Sequence, residues 1–222
     1  MKRKISILNG IFWVFIWFGF MLLYTFLDIY VWRKLTPYYE KYLNLISIVL
    51  CSLSFLVLII RNQHIEIDFF GNISSYKILL AAGCAVLFYF LLDKCLDPIF
   101  EDFFPMSEED YQKELYTLAK TPFISLIQIC ILAPFMEEFL MRGFLLDGLM
   151  QKYGKGIALF VSAFLFALLH FNMVQTLSAF ICGIILGLLY ICTNSLFCCI
   201  MAHSGYNFIS YISVILPLIG KE

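Results

Sequence analysis

The chain has 222 residues, 62% of them hydrophobic and only 14% charged, with 15 basic against 16 acidic side chains and a mean hydropathy of +0.90. Soluble domains carry about 25% charged residues, so this composition excludes that class and points to an integral membrane protein. The net charge of -1 says nothing about nucleic acid, but no basic cluster interleaved with aromatics is present, so membrane lipids and not nucleic acid are the expected partners.

A helix crosses a bilayer with about 20 apolar residues. Apolar stretches run over Ile5–Trp32, Tyr42–Ile60, Tyr76–Leu92, Pro122–Met150, Gly156–Phe171, Met173–Ile191 and Ser195–Ile219. They predict an all-α membrane protein with about seven, at most eight, transmembrane helices. Lys2, Arg3 and Lys4 precede the first stretch as in a secretory signal. That stretch continues to Trp32 without a small-residue cleavage site, so it is read as a retained span. The basic residues of the loops divide evenly between the two sides, and only the basic start favours a cytoplasmic N terminus.

Residues 1–121 are expected to hold the N-terminal transmembrane helices, with polar groups mostly at their ends, followed by an interfacial segment. In "MSEEDYQKELYTL" Ser107 precedes Glu108, Glu109 and Asp110, an N-cap followed by acids at the positive end of a helix dipole. Tyr111, Leu115 and Leu118 recur at helical spacing, which predicts a short amphipathic helix at the interface. Residues 122–219 are expected to form a four-helix core that holds nearly all the intramembrane polar groups. The eight cysteines lie almost wholly in apolar stretches without a CxxC pair and read as small buried side chains.

Within "APFMEEFLMRGFLL" a central Glu or Arg costs about 2.5 to 3.5 kcal/mol on insertion scales, so each charge should face a polar interior and find a partner. Glu138 and Arg142 stand four apart on one helical face and are predicted to pair. Glu137 lies about 140° around the axis from Arg142 and has no partner in its own helix. Pro134 removes a backbone bond and should bend the helix just before the pair. The next stretch ends on His170, with Phe166 one turn earlier, and the last presents His203 and Asn207 one turn apart. Between them Gly183 and Gly187 have GxxxG spacing, which permits close helix approach. Asn172 and Asn194 read as caps or turn residues, and His64 as solvated surface.

"EEFLMR", "FALLH" and "HSGYN", in this order, resemble the EExxxR, FxxxH and HxxxN motifs of the CPBP family of intramembrane proteases, also called the Abi or CAAX-processing family. The resemblance covers about the last hundred residues. It implies a helical membrane fold with a water-accessible cavity and hydrolysis of a peptide bond in a peptide or lipid-anchored protein substrate. It implies Glu137 as the general base with His170 beside it, His203 and Asn207 holding water or stabilising the oxyanion, and Glu138 and Arg142 as supports. Both glutamate-dependent and metal-dependent mechanisms are described for the family. A preset pair of donors suits the first without a cofactor; Glu137, His170 and His203 as two-histidine, one-carboxylate ligands of zinc would suit the second.

The expected function is therefore an intramembrane endopeptidase of a bacterial plasma membrane, acting in peptide maturation, quorum-sensing peptide or bacteriocin processing, or self-immunity. The competing expectation is a non-enzymatic membrane scaffold that regulates a partner such as a sensor kinase. A transporter is the third, since intramembrane carboxylates and histidines also relay protons; no internal repeat supports it.

Overall fold

The computed structural model describes residues 4–36, 38–65, 68–105 and 119–214, and the expected amphipathic helix at Ser107–Leu118 falls outside them. Among these residues the regular structure is helical, with no strand. We number the helices α1 (Ile7–Leu35), α2 (Glu40–Gln63), α3 (Ser75–Phe103), α4 (Pro122–Ala167), α5 (Met173–Thr193) and α6 (Leu196–Val214). The first five are long and apolar enough to cross a membrane. α6 is described over 19 residues, and among the described residues it is not one of these, because histidine, asparagine and serine interrupt its apolar run; the end of the span expected to reach Ile219 lies outside the described residues.

Contacts divide the chain into two compact units, Ser6–Glu66 and Met1–Ile5 with Ile67–Glu222. In the first, Ser6 caps α1 by accepting the Asn9 N–H at 3.2 Å. Phe55 of α2 is fully buried and meets Trp13, Trp17 and Phe20 of α1 at ring-centroid distances of 6.2, 5.0 and 5.9 Å. Polar groups of this unit pair near the helix ends. Trp32 Nε1 donates to Ser47 Oγ at 3.0 Å, and Arg33 bridges Asp28 at 2.6 Å and Glu40 at 3.2 Å. His64 is exposed and ends α2 in a left-handed conformation.

The second unit contains α3 to α6, so α3 clusters with the helices that carry the motifs. α4 is continuous over 46 residues, yet Ser162 Oγ donates to the Met141 carbonyl at 2.9 Å. Along a straight helix those residues would stand about 30 Å apart. The stretch is a hairpin, reversing at Gly154, where φ 80° and ψ 170° belong to a region open only to glycine. Its legs, 122–153 and 155–167, correspond to the two apolar segments expected there.

Helices α3 and α4 both widen into π turns, at Tyr89–Leu96 in α3 and at Gln128–Leu132 and Phe139–Leu146 in α4. Two of these turns lead into a proline. Pro98 and Pro134 have no N–H and their rings crowd the preceding turn. The Asp97 and Ala133 amides just before them reach back five residues, to the carbonyls of Leu92 and Gln128. Pro134 thus acts through a local widening of the helix and not through a kink alone.

Candidate active site

The EExxxR motif sits on the first leg of α4, across the junction of a regular helical turn (Ala133–Glu138) and the π turn Phe139–Leu146. Glu138 and Arg142 have no exposed side-chain surface, and their carboxylate and guanidinium meet at 3.0 Å, as the four-residue spacing predicted. Arg142 also donates from Nη2 to the Gly183 carbonyl of α5 at 3.3 Å and lies over the Phe166 ring, 4.8 Å from its centroid. Two buried charges are tolerable in an apolar interior only when each is paired and further hydrogen-bonded. Gly183 makes this possible, because a Cβ there would stand 3.0 Å from the Ala163 Cα and 3.2 Å from the Phe166 ring. The GxxxG spacing therefore does more than admit close packing; it brings a backbone acceptor within reach of the arginine.

His203, on α6, reaches the same carboxylate. Its Nδ1 stands 2.9 Å from Glu138 Oε1, and its Nε2 stands 3.8 Å from Glu137 Oε2. A carboxylate already paired with arginine is ionised and only accepts, so the Nδ1 of His203 carries the proton. Its Nε2 then faces Glu137. Glu137 retains 21% of its side-chain exposure, whereas Glu138 retains none, so the two adjacent carboxylates occupy different environments. The remaining Glu138 oxygen has no hydrogen-bond donor among the described residues.

His170 lies just past the second leg of α4, in the turn to α5. The Asn172 side chain caps α5 by accepting the Val174 and Gln175 amides, and Thr176 Oγ1 donates to the His170 carbonyl at 2.9 Å. The His170 Nδ1 stands 3.1 Å from the Phe166 carbonyl, which only accepts, so here too Nδ1 carries a proton and Nε2 is left free of that contact. Phe166, fully buried, is edge-on to both histidines at 5.1 and 5.9 Å and so links Arg142, His170 and His203. Among the described residues His203, His170, Glu138 and Arg142 each act electrostatically on Glu137, which relates five of the six expected site residues to one another.

Asn207, the sixth, donates from Nδ2 to the Ile129 carbonyl in the π turn of α4 at 2.8 Å. One of its two amide hydrogens is therefore committed to the protein backbone. Among the described residues no three His, Cys, Asp or Glu side chains gather into a group that could hold a metal ion. His203 holds Glu138 through Nδ1 and turns Nε2 toward Glu137, an orientation that serves a water-holding or a metal-ligating histidine alike.

Sequence reasoning missed three contributors. Ser162 lies one turn before Phe166 and two before His170, so the spacing SxxxFxxxH was visible, but a serine in an apolar run gave no hint of its acceptor. Asp93 accepts the Tyr206 hydroxyl at 2.7 Å, between α3 and the last motif helix, and Asp97 accepts the Ser178 hydroxyl of α5. The expected third span closed at Leu92, before both carboxylates; their one-turn spacing at the end of an apolar run was the available signal.

Residues 119–209 match the family model described as type II CAAX prenyl endopeptidase Rce1-like. No curated protein and no solved structure matches the chain. The matched segment contains all three motifs and supports both the CPBP resemblance and a CAAX-type intramembrane protease in general.

Proposed function

We propose, on the premise that residues 119–209 form an Rce1-like domain, that the chain is an endopeptidase whose general base is Glu137, with His203 holding the attacking water beside it. The observation that carries this reading is the placement of His203 between two carboxylates: Glu138 fixes one ring nitrogen at 2.9 Å and the other faces Glu137 across 3.8 Å. That separation is too long for a direct hydrogen bond and suits a bridging water.

In this mechanism Glu137 takes a proton from the water as its oxygen attacks the scissile carbonyl carbon. The free N–H of Asn207 stabilises the charge that develops on the carbonyl oxygen. His170 holds the substrate or water beside Glu137. The C–N bond then breaks, and the proton on Glu137 passes to the leaving amine. Glu138 and Arg142 hold the His203 ring. No metal takes part in this scheme. The substrate is a small peptide or a lipid-anchored protein presented within the membrane, and the setting is peptide maturation, quorum-sensing peptide or bacteriocin processing, or self-immunity, in a bacterial plasma membrane.

The test is incubation of the purified full-length protein with a peptide library, with and without chelator, beside Glu137→Ala. Cleavage that survives chelation and is lost in Glu137→Ala is expected. Cleavage by Glu137→Ala at the full rate would overturn the assignment, and loss of cleavage on chelation alone would overturn the metal-independent scheme.

A further inference from the structure

We propose that Pro134 is a positioning residue: by leaving the Ile129 carbonyl without a helical donor, it supplies the acceptor that orients Asn207. This rests on the role given to Asn207 above and deepens it.

In a regular helix the Ile129 carbonyl would accept the N–H of residue 133. Here the Ala133 N–H goes instead to Gln128, five residues back. The next amide along the widened turn is that of Pro134, which has no N–H. The Ile129 carbonyl is thus without an amide donor in either the regular or the widened register. A carbonyl left in this state and shielded from water carries the cost of a lost hydrogen bond, and Ile129 is half-buried. Asn207 meets the need from another helix, its Nδ2 donating at 2.8 Å.

The consequence falls on the asparagine. Its carboxamide is planar and has two N–H groups; once one is anchored on Ile129, the plane and the direction of the second are set. Asn207 lies one turn beyond His203 on α6, so the anchor also relates the asparagine to the histidine and to the EExxxR leg, three residues after Pro134. A proline in that helix, costly to helix formation by itself, is thereby given a use.

Restoring an N–H at position 134 tests the idea. Pro134→Ala and Pro134→Ser provide the missing donor, so the Ile129 carbonyl can close a helical bond and release Asn207. With the full-length enzyme and a peptide that the wild type cleaves, both variants are expected to lower kcat about 10- to 100-fold at nearly constant KM. Their melting temperatures should not fall, because either residue is a better helix former than proline. A merely structural proline would show the reverse, a lower melting temperature with kcat kept.

A second readout needs no turnover. In protein labelled with 15N-asparagine and held in lipid nanodiscs, the Asn207 side-chain resonances, identified by their loss in Asn207→Ala, should shift in Pro134→Ala. Unshifted resonances would overturn the proposal. So would wild-type kcat in both variants while Glu137→Ala is inactive. If the wild type cleaves no peptide, the hydrolase reading fails and the resonances alone decide the positioning.

Discussion

The unit Ser6–Glu66 and the motif helices solve the same problem, polar side chains in apolar helices, in opposite ways. In the first unit the polar pairs join Trp32 to Ser47 and Arg33 to Asp28 and Glu40, with Arg33 half exposed near the end of α1. In the motif helices a fully buried Arg142 and Glu138 stand mid-helix, and each reaches a second helix. A buried ion pair adds little net stability over an apolar pair of the same shape. What it secures here is geometry: Glu138 fixes His203, and His203 faces Glu137. The contrast separates polar groups that finish helices from polar groups that hold a reacting arrangement.

Variants can break or sharpen that contrast. The largest effect is expected for Glu137→Ala, a loss of about 10² to 10⁴ in kcat with melting temperature nearly unchanged, checked by peptide cleavage and thermal unfolding of the same preparation. Glu138→Ala and Arg142→Ala should damage both, since each leaves its partner as an uncompensated buried charge, worth about 3 to 5 kcal/mol in stability. Gly154→Ala should cost about 1 to 3 kcal/mol through the hairpin's glycine-only conformation, although open space surrounds the added methyl group. Ser162→Ala, which strips the Met141 carbonyl of its donor, should cost about 1 kcal/mol in denaturant unfolding. In the first unit, Trp32→Phe should cost about 0.5 to 1.5 kcal/mol with kcat unchanged. A matching loss of turnover there would dissolve the contrast.

The elements that the sequence revealed share a physical reason. Helical phase alone paired Glu138 with Arg142 and set Glu137 apart, because both statements depend on spacing within one helix. The all-α membrane character followed from apolar run length. The missing parts were contacts between helices. That His203 turns to Glu138, that Gly183 offers its carbonyl to Arg142, and that α3 reaches α6 through Asp93 and Tyr206 depend on packing, which periodicity does not encode. Pro134 was legible as a disturbance of the helix; the π turn that absorbs it, and the carbonyl it leaves for Asn207, were not.

The central claim is that two adjacent glutamates have different tasks, Glu137 reacting and Glu138 positioning. The most direct measurement is kcat for Glu137→Gln and Glu138→Gln on one peptide, with thermal unfolding of each. The expected result is an inactive Glu137→Gln that unfolds at the wild-type temperature, beside a destabilised Glu138→Gln with residual turnover. An active Glu137→Gln, or an inactive Glu138→Gln of wild-type stability, would contradict it.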